Sequence, residues 1–422
     1  AMILRARVVL PVSTPIIRDG AVRISGERIT QIGRWRDLRA DSKPGERVDL
    51  GEMVLLPGLV NAHCHLDYTQ MAGQFPPPKV FTDWLKLITT TKGSWDFAEY
   101  AASWLAGAGM LLRTGTTTVG DIEAVPQLLP DMWLATPLRV VSFLEMIGIT
   151  ARRPPKALLQ EAIEKAARLR NSRCRVGLSP HAPYSTVPEL LRLAGQAARK
   201  RRWRACIHVG ESALEFQMFA RGEGDMYEWL KRSGRDMTDC GLGSPVRHLD
   251  RCRLLGPNLV AAHANYLSPG DADLLSRRGV SVVHCPRSHC YFRHGPFPLQ
   301  RLARAGVNVC LGTDSLASVY QTRKQVPVEL NMFDEMRVIA QREPPISPRR
   351  TLRMATICGA HALGMRGQVG ELARGAFADV IALPFAGRDS NVHEAVLGHK
   401  GYVARSMIAG EWVWPGPATA RT

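Results

Sequence analysis

Two histidines at the end of an apolar stretch offer metal-binding chemistry. His63 and His65 close residues 55–65, which read LLPGLVNAHCH. On a β-strand, side chains two residues apart point to the same side, so the two imidazoles share a face and Cys64 points away. Two neighbouring imidazoles are half of a typical zinc or iron site. The segment therefore predicts a metal site, provided that other strands supply the remaining ligands.

Alternating strand-like and helix-like segments in the middle of the chain would position these residues. Eight apolar or β-branched runs predict strands at residues 59–65, 116–122, 138–147, 175–180, 204–209, 258–263, 280–284 and 307–312. Helical patterns separate most of them, and two more at residues 327–341 and 347–363 follow the last strand. Such alternation predicts an α/β protein with a (β/α)8 TIM-like barrel, rather than a doubly wound sheet.

Short strand-like runs and glycine turns at both ends of the chain predict a smaller unit. Five such runs precede residue 57, and a run at residues 375–383 is followed by a hairpin pattern around Gly410. We therefore predict a composite β-sandwich domain from residues 1–56 and 366–422, with the barrel formed by residues 57–365.

Histidines concentrate at the predicted strand ends, where a parallel barrel carries its active site. Seven of the twelve histidines lie there: His63, His65, His181, His208, His263, His284 and His289. A catalytic Zn²⁺ or Fe²⁺ takes imidazole and carboxylate ligands and keeps one position open for water. The predicted ligands are three of these histidines and the aspartate that follows the eighth strand, namely His63, His65, His208 and Asp314.

Acid–base groups are expected beside such a metal. Glu211 lies three residues after His208, just past the strand end, and is predicted to carry a proton to the leaving group. His263 is predicted to hold or orient the water. For His284, substrate contact and core packing stay open as alternatives, and for His289 substrate contact and loop packing do.

Composition limits the class of protein and its surroundings. The chain is 45% hydrophobic and 22% charged, and no apolar run approaches the ~18 residues of a membrane span. Nine cysteines without a CxxC pattern predict buried thiols in a reducing cytoplasm. The N-terminal segment predicts a strand rather than a signal peptide.

The net charge of +17 needs an explanation. Its densest run, residues 199–204, reads RKRRWR and follows a helical pattern, where the helix dipole favours cations. We interpret the excess as a solvated basic face. A nucleic-acid site, or a surface that attracts an anionic substrate, is the alternative. We predict no nucleic-acid or membrane partner, and a homodimer stays open.

The order and spacing of several motifs resemble those of the amidohydrolase superfamily. The similar branch contains cytosine deaminases, S-adenosylhomocysteine deaminases and chlorohydrolases of the ATZ/TRZ type. The motifs are PGLVNAHCH at 57–65, TGTTTV at 114–119, HVGE at 208–211, HA at 263–264, HCPRS at 284–288 and GTDS at 312–315. The resemblance covers nearly the whole chain and implies a metal-dependent hydrolase acting on non-peptide carbon–nitrogen bonds.

The resemblance also implies roles for individual residues. It implies one divalent ion, Zn²⁺ with Fe²⁺ as the alternative, on the four ligands named above. Glu211 and Asp314 would pass protons, and His263 would contact the water. Strand four ends in His181, whereas two-metal members have a bridging lysine there, which favours a mononuclear site. In the nucleoside deaminases of this branch, a histidine at the position of His181 contacts the substrate.

The substrate class follows from two segments. Residues 81–85 (FTDWL) and 284–292 (HCPRSHCYF) resemble those of aminodeoxyfutalosine deaminases. Trp84 would stack on a purine-like ring, with a helix core position as the alternative. The implied reaction is deamination of a small N-heterocycle, a purine nucleoside-like compound of the adenosine or aminodeoxyfutalosine type. Dechlorination or cyclic-amide hydrolysis on the same scaffold, and a binding protein without catalysis, are the competing interpretations.

Overall fold

The computed structural model describes residues 2–40, 43–150, 152–320, 328–342 and 346–416. In chain order, the strands within these ranges are β1 (Met2–Val9), β2 (Ile17–Ser25), β3 (Arg28–Arg34), β4 (Arg47–Asp49), β5 (Met53–Pro57), β6 (Leu59–Cys64), β7 (Thr116–Glu123), β8 (Arg139–Met146), β9 (Arg175–Pro180), β10 (Ala205–Val209), β11 (Leu259–His263), β12 (Ser281–His284), β13 (Asn308–Leu311), β14 (Val380–Pro384), β15 (Arg405–Ile408) and β16 (Glu411–Trp414).

Along the chain, most helices of the same ranges lie between or after the strands of the second half of this series. They are α1 (Trp35–Leu38), α2 (Phe81–Ser94), α3 (Phe97–Arg113), α4 (Leu129–Ala135), α5 (Pro155–Arg168), α6 (Pro188–Arg201), α7 (Ala213–Arg221), α8 (Asp225–Arg232), α9 (Pro245–Arg251), α10 (Asp271–Arg277), α11 (Pro286–Tyr291), α12 (Leu299–Arg304), α13 (Met332–Arg342), α14 (Pro348–Met354), α15 (Ile357–Ala362) and α16 (Val392–Leu397). None of these described helices has the length and apolar character needed to cross a membrane.

The predicted barrel is confirmed. Strands β6 to β13 pair in sequence order into one parallel sheet, and each begins and ends within one residue of its predicted bounds. A bridge between Cys64 and Asp314 joins the first strand to the loop after the last, where the Asp314 N–H donates to the carbonyl of His63 at 3.1 Å. The sheet therefore closes at the residues that carry the predicted metal ligands.

Sequence patterns explain these elements. Every residue of β6, β10 and β11 is buried, as expected for parallel strands covered on both faces. Helix α6 begins with a proline in its first turn, and its buried face recurs at Leu190, Ala194 and Ala198. Of the two predicted closing helices, the second is divided into α14 and α15. The first begins later than predicted, at Met332, and residues 321–327 lie outside the described ranges.

Both chain ends build the second sheet, as predicted. Strand β5 pairs with β1 in parallel and with β14 antiparallel, so the N-terminal and C-terminal segments meet within one sheet of eight strands. The chain enters the barrel at Gly58, where any Cβ would overlap the side chain of Thr117. The domain limits at residues 56 and 366 stay a prediction.

A buried ion pair joins the terminal sheet to the base of the barrel. The guanidinium of Arg139, at the start of β8, donates to Asp379 at 2.6 and 3.1 Å, and Arg139 is 2% exposed. The ring of Phe377 lies 3.5 Å from the same guanidinium. The bidentate geometry satisfies both charges, so the two units pack without an uncompensated ion.

Candidate metal and active site

The C-terminal ends of the barrel strands bring the predicted ligands together. Possible ligand atoms lie within 4.8 Å of one another in three overlapping triads: His63, His208 and His263; His63, His65 and Asp314; and Glu211, His263 and Asp314. Each of these residues is buried. All four predicted ligands and both predicted acid–base residues therefore surround one point.

The nitrogen atoms at this point lack ordinary partners. The Nε2 atoms of His65 and His208 are 3.2 Å apart, and Oδ1 of Asp314 is 3.6 Å from Nε2 of both His63 and His65. Nε2 of His63 is buried and has no hydrogen-bond partner among the described residues. Buried polar atoms normally find partners. This donor set of imidazoles and one carboxylate fits a divalent cation of the Zn²⁺ or Fe²⁺ type.

The protonation state also suits ligation. Nδ1–H of His208 donates to the carbonyl of His181 at 2.8 Å, which leaves Nε2 free to bind a metal. Burial lowers the pKa of His208 to about 3, and it lowers the pKa of His65 and His263 well below the ordinary value. These imidazoles are therefore neutral at pH 7, as metal ligands must be.

Two serines orient Asp314. Its Oδ2 accepts hydrogen bonds from Oγ of Ser288 at 2.6 Å and from Oγ of Ser318 at 3.3 Å. Burial alone would raise the pKa of Asp314, but the imidazoles of His63 and His263 outweigh it and hold that pKa well below the ordinary value. We did not predict either serine. Ser288 could have been found because it ends the HCPRS motif, whereas no sequence signal pointed to Ser318.

The carboxyl group of Glu211 faces His263. Its Oε1 is 3.7 Å from Nε2 of His263. Burial, together with the charges of Asp314 and Glu215, raises the pKa of Glu211 well above the ordinary value. A raised pKa favours the protonated form of this carboxyl group, which suits a general acid.

Glu215 fixes the turn that carries Glu211. Its carboxylate accepts the backbone N–H of Gly210 at 3.0 Å and of Glu211 at 2.9 Å. Burial raises the pKa of Glu215 to about 7. Gly210 has φ +58°, and a Cβ there would lie 2.8 Å from the carbonyl of Tyr266, so this turn requires glycine. Glu215 thus positions Glu211 without facing the metal ligands.

Backbone strain is concentrated at the same strand ends. His263, Ala264 and Asp314 have φ of 73°, 50° and 54°, a region that residues with side chains rarely adopt. Such conformations persist at functional sites, where the surrounding structure holds them.

His181 lies beside His208 and is held from two sides. Its Nδ1 is 2.6 Å from Oγ of Ser185, and its Nε2 is 4.0 Å from Oε1 of Glu145 on β8. Oε2 of Glu145 is 3.6 Å from Nζ of Lys92 on α2. Burial raises the pKa of Glu145, but the charges of Lys92 and His181 outweigh it and lower that pKa overall. Neither Glu145 nor Lys92 is among the predicted site residues.

The remaining predicted substrate residues lie farther from the triads. Trp84, on α2, is partly buried, and its ring centroid is 5.0 Å from that of Phe292 in the segment after β12. His284 is buried and stacks on Phe297 at 3.8 Å, and its ring lies 5.1 Å from that of His289. None of the three belongs to a ligand triad. Their contact with substrate stays a prediction.

His289 is linked to the acid–base residues through an amide. Its Nδ1 is 3.1 Å from Oδ1 of Asn265, and Nδ2 of Asn265 donates to the carbonyl of Glu211 at 2.9 Å. Cys64 and Cys285, which flank the site in sequence, are buried within apolar clusters. Strand alternation turns the Cys64 thiol away from His63 and His65, as predicted.

Comparisons with known proteins agree with this geometry. The model of the amidohydrolase family matches residues 54–413. The 5-methylthioadenosine/S-adenosylhomocysteine deaminase of Syntrophobacter fumaroxidans is 32% identical over 396 residues, which are 92% of this chain and 85% of that protein. The aminodeoxyfutalosine deaminase of Deinococcus radiodurans is 29% identical over 82% of each chain. An adenosine deaminase from Xanthomonas campestris, solved with bound zinc, superposes with a TM-score of 0.84 at 26% identity, over 97% of this chain and 92% of that one.

Proposed function

This chain belongs to the amidohydrolase family, and from that premise we propose that it is a metal-dependent deaminase of an amino-substituted N-heterocycle of the adenosine type. The observation that carries the proposal is the set of overlapping triads, in which Nε2 of His63 has no hydrogen-bond partner among the described residues and Glu211 lies buried beside His263. The names of the relatives support the adenosine type, because each is a deaminase of an adenosine-like compound.

The proposed ligands of a single Zn²⁺, with Fe²⁺ as the alternative, are His63, His65, His208 and Asp314. When bound, the ion supplies Lewis acidity that makes a water molecule acidic enough to attack near neutral pH. His181, which follows β9, supports one ion rather than two, because its Nδ1 already bonds to Oγ of Ser185 and the residue is not the lysine that bridges two metals in related enzymes.

Two buried carboxyl groups transfer the protons in the proposed reaction. Asp314 is ionised and takes a proton from the attacking water. Glu211 holds a proton and gives it to the ring nitrogen next to the carbon that bears the amine. His263, 3.7 Å from Glu211, orients the water. The proton on Asp314 then passes to the amine, which leaves as ammonia. The new hydroxyl group returns its proton to Glu211, and the ring carbon keeps the oxygen.

Substrate contacts and location complete the proposal. We assign His181 and Trp84 to the heterocycle or its sugar, since both are partly exposed and Nε1 of Trp84 lies 3.4 Å from the carbonyl of Ala317, in the loop after Asp314. His284 and His289 are assigned to the far side of the pocket. All nine cysteines are free thiols, which supports a reducing, cytoplasmic location.

Product analysis across a substrate panel tests the proposal. The panel contains 5′-methylthioadenosine, S-adenosylhomocysteine, aminodeoxyfutalosine, cytosine, a chlorotriazine and a cyclic amide, and ammonia, chloride and ring opening are measured separately. We expect ammonia from the adenosine-type compounds, with kcat/KM about 100-fold above the other classes. Chloride release or ring opening as the dominant reaction would instead establish one of the competing hydrolases. A chain that binds these compounds and transforms none of them would be a binding protein.

A further inference from the structure

A basic cavity lies at the end of the barrel opposite the metal ligands. It has a volume of about 680 Å³, and Arg175, Arg199, Arg202, Arg204 and the indole of Trp203 line it. Arg175 begins β9, and Arg204 directly precedes β10, so the cavity opens at the N-terminal ends of the strands. Strands of five or six residues separate it from the catalytic end by roughly 17–20 Å.

The described residues provide no counterion for these arginines. None of the residues that line the cavity is Asp or Glu. Within the described part of the chain, no carboxylate lies within 4.0 Å of any of the four guanidinium groups. The guanidinium of Arg175 donates to Oε1 of Gln368 at 3.1 Å, which is its one side-chain hydrogen bond to a described residue. The cavity therefore concentrates positive charge that the protein itself does not neutralise.

Arg204 is the most constrained of the four. Its Nη1 donates to the carbonyl of Pro257 at 2.8 Å and its Nη2 to the carbonyl of Ala362, while its buried Nε has no partner among the described residues. Burial lowers the pKa of Arg204 to about 10, so the group remains charged at neutral pH. Gly364 makes room for it, because a Cβ there would lie 3.1 Å from Cδ of Arg204.

The carboxyl end of α6 accounts for only part of this charge. Its dipole favours cations in the last turn, where Arg199 lies, and Arg202 caps the helix with φ 56°. Arg175 and Arg204 lie next to other strands, outside the reach of that last turn. At the same end of the barrel, Arg139 is neutralised by Asp379, whereas Arg204 is not. A partly buried charge without a counterion costs free energy that an anionic ligand would offset.

We propose that this cavity binds a nucleotide. The guanidinium groups of Arg175, Arg202 and Arg204 hold the phosphates, because arginine matches phosphate oxygens with paired hydrogen bonds. Trp203, beside the apolar wall formed by Val176, takes the base. The volume falls within the range of small-molecule sites, which favours one nucleotide over a polymer. The site lies apart from the proposed catalytic centre and does not depend on it.

Titration calorimetry with uridine diphosphate and with inorganic pyrophosphate tests this site. Uracil carries no amino group, so uridine diphosphate cannot be a substrate of the proposed reaction. We expect one site per chain, tighter binding of uridine diphosphate than of pyrophosphate, and weaker binding of both as salt rises. The double variant Arg175→Gln/Arg202→Gln alters two exposed residues and should weaken both probes at least tenfold. Trp203→Leu should weaken uridine diphosphate and leave pyrophosphate unchanged.

The matched control is Arg232→Gln, which removes an exposed arginine of α8 outside the cavity. It should bind both probes as the wild type does, and thermal melting should show that all variants fold. The proposal is overturned by absence of binding at millimolar probe in low salt, or by equal weakening in the control. It is also overturned if a deaminated nucleoside displaces the probe, or if an oligonucleotide binds the same arginines more tightly, which would make this a nucleic-acid surface.

Discussion

The catalytic end of the barrel and the Arg139–Asp379 pair at its base satisfy their buried polar groups to different degrees. At the C-terminal ends of the strands, Nε2 atoms of His63 and His263 have no partner among the described residues, and the backbone of Asp314 is strained. At the base, Arg139 and Asp379 satisfy each other with two hydrogen bonds. The comparison indicates that the catalytic end gives up local stability for reactivity, whereas the satisfied ion pair at the base contributes to stability.

The largest effect is expected from the ligand set at the catalytic end. Asp314→Asn removes the one carboxylate among the four assigned metal ligands. We expect kcat/KM to fall at least ~10⁴-fold, which corresponds to about 5.5 kcal/mol, and the bound metal to be lost. The exposed Asp131 offers a matched control, since Asp131→Asn should change neither quantity. Ammonia release and metal content measure both. An Asp314→Asn protein that keeps its metal and most of its activity would contradict the ligand assignment.

A change in the Arg139–Asp379 pair at the base of the barrel should lower the stability of the protein and not its activity. Arg139→Leu leaves the Asp379 carboxylate buried without a counterion, and the free energy of unfolding should fall by about 3–5 kcal/mol. Activity per folded molecule should stay within about twofold, because the pair lies at the other end of the strands. Adding Asp379→Asn should restore much of the stability, since the amide oxygen can still accept the Ala409 N–H. Denaturant titrations compare the variants. A selective loss of kcat in Arg139→Leu would break the division between the two ends.

A smaller effect is expected in the pH dependence of stability. The pKa of Glu215 is raised to about 7 in the folded protein, above the ordinary 4.5, so this residue favours folding most at low pH. Its contribution is lost as the pH rises from about 4.5 through 7 and amounts to about 2 kcal/mol between pH 5 and 7.5. Denaturant titrations of the wild type and of Glu215→Gln at both pH values should differ by this amount. If the free energy of unfolding depended equally on pH in the two proteins, Glu215 would already be ionised at pH 5 in the folded protein, and its pKa would not be raised.

The smallest effect concerns the residue that holds His181. Glu145→Gln removes the charge beside Lys92 and His181, and we expect KM to rise about tenfold, or ~1.4 kcal/mol, with kcat changed by less than about twofold. Glu145→Asp should recover part of the loss. Glu164→Gln, on the exposed side of α5, is the control. A loss confined to kcat would place Glu145 in the chemical step instead of in substrate positioning.

Periodicity and residue type predicted most of the barrel and its ligands. Parallel strands read as short buried apolar runs, and a ligand at a strand end interrupts such a run with a polar residue, as His208 and His263 do. Both signals are local, so they could be read without a structure. The composite terminal domain followed from the same kind of pattern at the two ends of the chain.

Contacts between distant segments could not be predicted in this way. Arg139 and Asp379 are 240 residues apart, so no local pattern in the sequence joins them. The pairing of Lys92 with Glu145 depends on how α2 packs over β8. The basic segment at residues 199–204 was interpreted as a solvated face, because its sequence shows only the helix end and not the cavity formed with Arg175.

Glu211→Gln provides the most direct test of the central claim that the C-terminal end of the barrel is a mononuclear hydrolytic site. Glu211 is not among the assigned ligands, so the variant separates metal binding from proton transfer. Metal content and ammonia release from an adenosine-type substrate should be measured on the same preparations of wild type and variant. We expect about one divalent ion per chain in both, with ammonia release at least ~10³-fold lower in the variant. A wild-type enzyme that is active without metal, or a Glu211→Gln variant as active as the wild type, would contradict the account.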